Sequence, residues 1–455
     1  MATTETTGTL AKTTPKRNNT QQLAWGVMLV SFAFFCVIAI SALLGVRYFL
    51  FQSRVPLLSS VEVSRGTPTL TQVGNEITSA ITKPREIFNN STLTTDTLSQ
   101  APVSFTDATT GQLIANVTVE NGSSVHLQQG TRPRFDWVSD AYWIEFEEVY
   151  GIIDIFVPEN LSRPVLLTFA TTLGPSARFT SSGHFTLIAV GQRVQVVNYS
   201  GAALLGNQPV PSGHTGSVLG TGEDLQVALH VDQLGDAAFS ENNFIDIDQT
   251  SVRVRPQAWI CRNTVDYPDE PMGSVGLSVV DSRPALRLFR GEGADSHGET
   301  SCWHGLGPDM RGLNVASYSS VSLRATFMIR SQSLSTCGTV GSECPLTLAM
   351  DYIPINGDAS NAIKWYQGFY AFLDPNRMFP FICDSCSEQH EQITPDVWYT
   401  YEIRNLFEKF APASRPETIL NLRFYASGHQ YEVYVSQMVL LVDQQEEVVV
   451  TENSS

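Results

Sequence analysis

The chain has 455 residues, 42% of them hydrophobic and only 16% charged, with a formal net charge of -17. An acidic balance without a basic tract excludes nucleic acid as a partner and electrostatic docking on anionic lipid as the main business of the chain. About 400 residues remain once a tail and an apolar run are set aside, more than one hydrophobic core holds, so two or three domains are expected.

Residues 1–22 are rich in Thr, Asn and Gln and are expected to form a disordered cytoplasmic tail. Leu23 to Val46 follows without a single Asp, Glu, Lys, Arg or His. At about 1.5 Å rise per residue this run makes a helix of roughly 36 Å, enough to cross a hydrocarbon layer of about 30 Å with some tilt. A signal peptide would carry a shorter apolar region and a small-residue cleavage site. Here Arg47, Tyr48, Phe49 and Phe51 follow, and Trp25 sits at the other end, as interfacial anchors do. We therefore expect a retained, single-pass transmembrane helix over 23–46. Lys12, Lys16 and Arg17 before it nearly balance Arg47, Arg54 and Arg65 after it, so orientation rests on cysteine. Cys36 lies in the span, and the other six cysteines lie far downstream, an even set suited to an oxidising compartment. This places the N-terminus in the cytoplasm and the C-terminal domains outside the cell membrane.

Residues 47–100 mix Ser, Thr and Pro with scattered hydrophobes and read as a stalk, with one helix-compatible piece from Val73 to Phe88. From residue 101 the texture changes to short alternating runs, such as Leu113 to Val119, Tyr142 to Phe146 and Gly151 to Val157. The clearest hairpin is Phe185 to Val190, the turn Gly191-Gln192, and Arg193 to Asn198. Arg178-Phe179, Gly183-x-Phe185, Val194-x-Val196, Gly201-x-x-x-Leu205 and Val210-Pro211-Ser212-Gly213 together resemble the FecR-type extracytoplasmic domain of bacterial membrane-anchored regulators. The resemblance covers about 101–220 and implies a small β-domain and a role in transmembrane signalling. In that family a cytoplasmic anti-sigma module precedes the span, whereas a tail of 22 residues is too short for a module with its own core.

Residues 221–254 read as a connector and 255–447 as a β-sandwich, followed by a disordered tail over 448–455. Strands are expected at Ala285 to Phe289, Val321 to Ile329, Leu346 to Tyr352, Trp365 to Leu373, Val397 to Ile403, Ile419 to Tyr425 and Tyr431 to Val442. The long closing strand after Gly428-His429-Gln430 resembles that of galactose-binding-like jelly rolls, a likeness of architecture that implies no binding residue. The fold class is therefore mostly β, with one N-terminal transmembrane helix, a FecR-like β-domain and a C-terminal jelly-roll sandwich.

Cys383-Asp384-Ser385-Cys386 with His390 offers three ligands for a tetrahedral zinc, with Cys302 or His304 as the fourth. A disulfide is the preferred reading, because no second ligand pair stands at regular spacing. Cys337 and Cys344 enclose a flexible six-residue loop and are expected to bond, which leaves Cys261 with Cys302 and Cys383 with Cys386 among fifteen connectivities. Asp246 and Asp248 suggest at most a structural calcium, without an Asp-x-Asn-x-Asn-Gly loop. Glu145 and Glu147 alternate as a carboxylate pair would for glycoside hydrolysis, yet a solvated strand face asks for the same pattern. The chain holds no nucleophile elbow, no His-Glu-x-x-His and no phosphate loop. Dense aromatics remain, and Trp365, Tyr366, Tyr370, Trp398 and the turn residue His429 are the candidate ligand contacts. The function expected is non-catalytic binding of carbohydrate, envelope polymer or a protein outside the cell, without a cofactor. The alternatives are FecR-type signalling and a glycan-processing enzyme.

Overall fold

The structure is a computed structural model that describes residues 19–72, 78–172, 174–220, 225–234, 239–240, 243–248, 258–376 and 388–444. Two compact units are present: Met1–Val55 with Pro133–Ser139, and Pro56–Arg132 with Asp140–Ser455. In the first, a single helix runs Asn19–Phe51, longer than the uncharged run at both ends. Its Gln22–Phe51 portion holds an apolar stretch of 18 residues or more that is not buried, so by length and composition it is able to cross a bilayer. The Arg134 backbone N–H donates to the Ser53 carbonyl just beyond the helix end.

In the second unit, the N-terminal lobe is a sandwich of two sheets that share the 16-residue strand Tyr142–Val157. Its first half pairs with Ser124–Pro133 and, in parallel, with Val165–Thr171 in the first sheet. Its second half pairs with Leu113–Val119 and Gly183–Val190 in the second sheet. The strand changes sheets where its register breaks between Phe146 and Val149, with Glu148 at φ 50° and Gly151 at φ 94°. A Cβ on Gly151 would lie 2.7 Å from the Ser123 backbone, so both the dihedral and the close approach require glycine here. Between the sheets pack Leu70, Phe146, Phe169 and Phe179 against Val103, Phe105, Ile155, Phe185 and Val196. The hairpin Gly183–Val190 and Arg193–Ser200 closes with Val190 opposite Arg193 across Gly191-Gln192.

Of the stalk expected over 47–100, residues 47–51 end the helix and 52–55 belong with it to the first unit, while the described residues from Pro56 onward are part of this lobe. Leu58–Val61 pairs with Ala101–Thr106, and Thr69–Gln72 and Ser91–Thr94 extend the first sheet. Short Ser/Thr-rich strands bury Val61, Leu70 and Leu93, with Ser59 and Ser91 buried beside them, and Ile87 is buried just after another short strand, so few apolar residues mark the stretch as folded. Within the Val73 to Phe88 helix expectation, 73–77 lie outside the described residues, and Thr78–Ala80 and Arg85–Glu86 are strands. Pro84, which would lose a hydrogen bond inside a helix, stands between them. The connector expected over 221–254 also carries strands. Gln226–Asp232 pairs first with His214–Leu219 and then with the closing strand, while Phe244–Asp246 pairs with Trp259–Val265.

The C-terminal lobe is a second sandwich. Its third sheet orders Ser274–Val280, Arg283–Arg290, Tyr431–Gln444, Tyr318–Gln332 and Tyr399–Ile403. Its fourth orders Phe244–Asp246, Trp259–Val265, Gly298–Gly305, Pro416–Gly428, Leu346–Pro354, Ile363–Tyr370 and Glu391–Gln392. All seven expected strands are present, with shifted ends. Leu323, Phe327, Val433 and Leu440 of the third sheet meet Leu348, Met350, Trp365 and Phe424 of the fourth in one core. Cys261 is bonded to Cys302 and Cys337 to Cys344.

The second and third sheets meet through their outer faces. Alternation sends Ile153 and Ile155 into one core and Leu323 and Ala325 into the other, leaving Asp154 and Arg324 between the sheets. The Arg324 guanidinium reaches Asp154 at 2.5 Å, with side-chain exposures of 2% and 1%. Arg283 donates to Asn116 Oδ1 at 3.0 Å and lies over the Phe156 ring. Val197 packs with Val439 and Leu441. Gln100 exchanges two hydrogen bonds with the Thr400 backbone, and Arg65 pairs with Glu391.

Candidate functional site

The outer face of the fourth sheet gathers aromatic and polar side chains. Its inner positions are fixed by the core, since Thr300, Cys302 and His304 alternate with Glu299, Ser301 and Trp303 along Gly298–Gly305. The same alternation on neighbouring strands sends Leu422, Phe424, Leu348, Met350, Trp365 and Phe369 inward. The residues directly opposed across the strands therefore share the outer face. One row reads Trp303, Arg423, Ala349, Tyr366; the next, Ser301, Tyr425, Thr347, Gly368; a third, Gly305, Asn421, Asp351, Lys364. Ala349 and Thr347 are short and buried, with Arg423 and Tyr425 on one side and Tyr366 on the other, while Trp303, Arg423, Tyr425 and Tyr366 remain half-exposed.

The polar groups on this face are ordered before any ligand arrives. Arg423 pairs with Glu299 at 2.5 Å and lies 4.2 Å from the centre of the Tyr425 ring. Asn421 donates to Asp351 at 3.1 Å. Burial raises the Tyr425 hydroxyl above its ordinary range, with a hydrogen bond to Thr347 opposing the shift. Ring faces beside fixed hydrogen-bonding groups suit a ligand with apolar C–H faces and hydroxyl edges.

The expected contact residues are dispersed. Tyr366 stands on this face. Trp365, 2% exposed, belongs to the core and stacks toward Tyr401. Trp398 is buried on the other side of the sandwich, beside Ala285, Met328 and Tyr434, and donates from Nε1 to Asp281. Tyr370 is half-exposed near the end of its strand, opposite Gln392, and His429 sits in the turn before Tyr431. Sequence reading missed Trp303, Arg423, Asn421 and Glu299, although an inward disulfide at Cys302 implies an outward Trp303.

Of the zinc set, Cys383 and Cys386 lie outside the described residues. His390 and His304 are not brought together: Gly298–Gly305, which carries His304, and Glu391–Gln392, which follows His390, stand four strand spacings apart, about 19 Å. The His390 ring accepts from the Gly368 N–H and contacts the Gly341 carbonyl at 2.8 Å. It lies with Cys337 and Cys344, whose sulfurs are committed to a disulfide. His304 is buried against Trp259, and burial alone pulls it down to about 4. Asp248 accepts from the Asn263 backbone and side chain, and the Asp248 N–H bonds Asp246. Glu145 accepts from Gln129 at 2.7 Å, and Glu147 is half-exposed on the same outer face.

A cluster of titratable groups between the sheets is strongly perturbed. Asp154 is held well below the carboxylate range because Arg324 and His184 outweigh its burial. Burial keeps the His184 imidazole below its ordinary value, with its Nε2 2.7 Å from Asp154 Oδ1. Asp154 and Arg324 are almost completely buried and His184 nearly so, and together they form a joint between the sheets.

No family model matches the chain, and no curated protein matches it. Among solved structures it is similar to a protein described as an anti-sigma factor from Parabacteroides distasonis, at 14% identity and TM-score 0.19, over 25% of this chain. The chain spans about half, 51%, of that structure. It is also similar to a Family 11 carbohydrate-binding module from Clostridium thermocellum in complex with a β-1,3-1,4-mixed-linked tetrasaccharide, at 12% identity and TM-score 0.21, over 40% of this chain and 87% of that one. A third likeness is to TmCBM61 in complex with β-1,4-galactotriose, at 9% identity and TM-score 0.20, over 40% and 86%. Likenesses at these TM-scores establish neither family nor ligand.

Proposed function

We propose that the chain is a single-pass, membrane-anchored binding protein, with its β-lobes outside the cell, that holds a carbohydrate or glycan-like envelope polymer on the outer face of its fourth sheet and carries out no chemistry on it. The observation that supports this reading is the row Trp303, Arg423, Ala349 and Tyr366, where half-exposed rings stand at the two ends with Arg423, paired to Glu299, and the short, buried Ala349 between them. Sugar rings stack on aromatic faces and take hydrogen bonds from planar donors at their edges. The uncharged run within the helix and the two disulfides support the anchor and the oxidising side.

A glycan array probed with the full chain in detergent micelles tests the ligand class. Trp303→Ala is expected to weaken any positive by about tenfold or more, the loss of a central stacking contact. Failure of every glycan to bind, or binding indifferent to both Trp303→Ala and Tyr366→Ala, would sink the reading. Protease added to intact cells tests the orientation: the lobes should be cut without lysis.

A further inference from the structure

We infer that the loop Pro133–Ser139 is a second membrane contact, laid into the headgroup boundary of the bilayer beside the exit end of the helix. This rests on the reading of that helix as a span. Phe49 stands three residues past Val46, so about 4.5 Å beyond the end of the uncharged run. The interfacial zone on each side of the hydrocarbon is about 5–7 Å deep, and Phe49 falls inside it. Phe135 meets Phe49 edge to face at 5.5 Å between centroids, and Trp137 stacks on Phe135 at 4.4 Å. The Arg134 guanidinium lies 5.4 Å from the Phe49 ring. The Arg134 N–H donates to the Ser53 carbonyl, tying the loop to the chain just past the helix, and the Val138 N–H donates to the Phe135 carbonyl within the loop.

The ring chain carries the loop to the depth of Phe49. There Trp137 is 64% exposed, and the helix residues Tyr48 and Phe51 at the same level are 61% and 54% exposed. A single exposed indole would need no explanation, but one joined by rings to the interfacial turn of a span is continuous with the surface that lipid already covers. Indole and guanidinium are the groups that the headgroup boundary takes, apolar body inward and polar end to water. The contact is aromatic rather than electrostatic, in keeping with a net charge of -17.

The test is fluorescence quenching of the full chain reconstituted in phosphatidylcholine vesicles whose acyl chains are brominated close to the headgroup. Comparing the wild type with Trp137→Phe and with Trp25→Phe isolates the quenched fraction of each indole. The expected result is that Trp137 is quenched to an extent comparable with Trp25 and that its emission is blue-shifted. Quenching of Trp25 without Trp137 would overturn the loop contact and leave the span intact. Quenching of neither would overturn both.

Discussion

Asp154 shows how much one enclosed carboxylate decides. It accepts from Arg324 and His184 while Arg283 adds to its field, and all of these groups are buried. Removing one partner of such a set leaves an uncompensated charge in a dry site, so Asp154→Ala should cost about 3–5 kcal/mol, read as a lower denaturant midpoint. Because a well-packed apolar pair substitutes for a buried ion pair at little cost, Asp154→Leu with Arg324→Met should recover most of that loss. If the double variant is as unstable as the single one, charge pairing is not what holds the site.

Glu120, beside this set, makes a prediction of opposite sense. Its carboxyl is pushed up to about 8, mainly by burial, with Arg324 opposing and Asp154 and Glu402 adding to the rise. Gln100 donates to one oxygen. In the unfolded chain the group titrates at about 4.5, so from there up to about 8 the unfolded state has released a proton that the folded state still holds. Its stabilisation is therefore complete below about 4.5 and is lost as pH rises through that window, at roughly 1 kcal/mol per pH unit. His184 acts the other way: burial lowers it, so its stabilisation is lost as pH falls below its unfolded value of about 6.5. Glu120→Gln keeps an acceptor for Gln100 and should flatten the fall between pH 4.5 and 8 relative to wild type. An unchanged slope across that range would assign the pH dependence to another group.

At the scale of elements, the two disulfides do different work. Cys261 and Cys302 face each other on adjacent strands and close 41 residues of chain, while Cys337 and Cys344 close seven. By the loop-entropy relation the first constrains the unfolded chain by about 4 kcal/mol and the second by about 2. Replacing each pair with Ala should lower the unfolding free energy in that order, and a reversed order in equilibrium denaturation would mean that native packing, not loop closure, dominates. The long elements were legible because each carries a complete local signal. Leu23 to Val46 is uncharged, and the strands around Val321, Leu346 and Val433 alternate over enough residues to be recognised. The strands between residues 54 and 100 were not, because they are two to four residues long and bury at most one apolar side chain each. The site was half legible. Period two separates Trp365 from Tyr366 but does not say which is inside, and that choice is made by Met350 and Leu422 on neighbouring strands. Arg283 and Arg324 stand on a sheet face that a single sandwich would leave in water. Their burial comes from a second sheet some 140 residues or more away in sequence, and no local pattern reports it.

At the scale of the whole molecule, that buried face determines how the lobes come apart. Two sandwiches joined by a linker would unfold independently, and their contact would resemble a transient interface. Here the second and third sheets are pressed together over enclosed ions, and Gln226–Asp232 is hydrogen-bonded to a strand of each lobe. Separating the lobes would uncover Val439 and Leu441, which pack with Val197, and strip Arg324 of Asp154. The C-terminal sandwich alone is therefore a poor vehicle for ligand tests, since it would expose this face and be prone to aggregate. We expect calorimetry of the full chain in detergent to show one transition for both lobes, with calorimetric and van't Hoff enthalpies in agreement. Arg324→Ala should lower that transition without splitting it, because its loss is felt by both sheets at once. Two resolved transitions in the wild type, or a variant that shifts only one of them, would show that the lobes are coupled too weakly for the buried ions to act as a common joint.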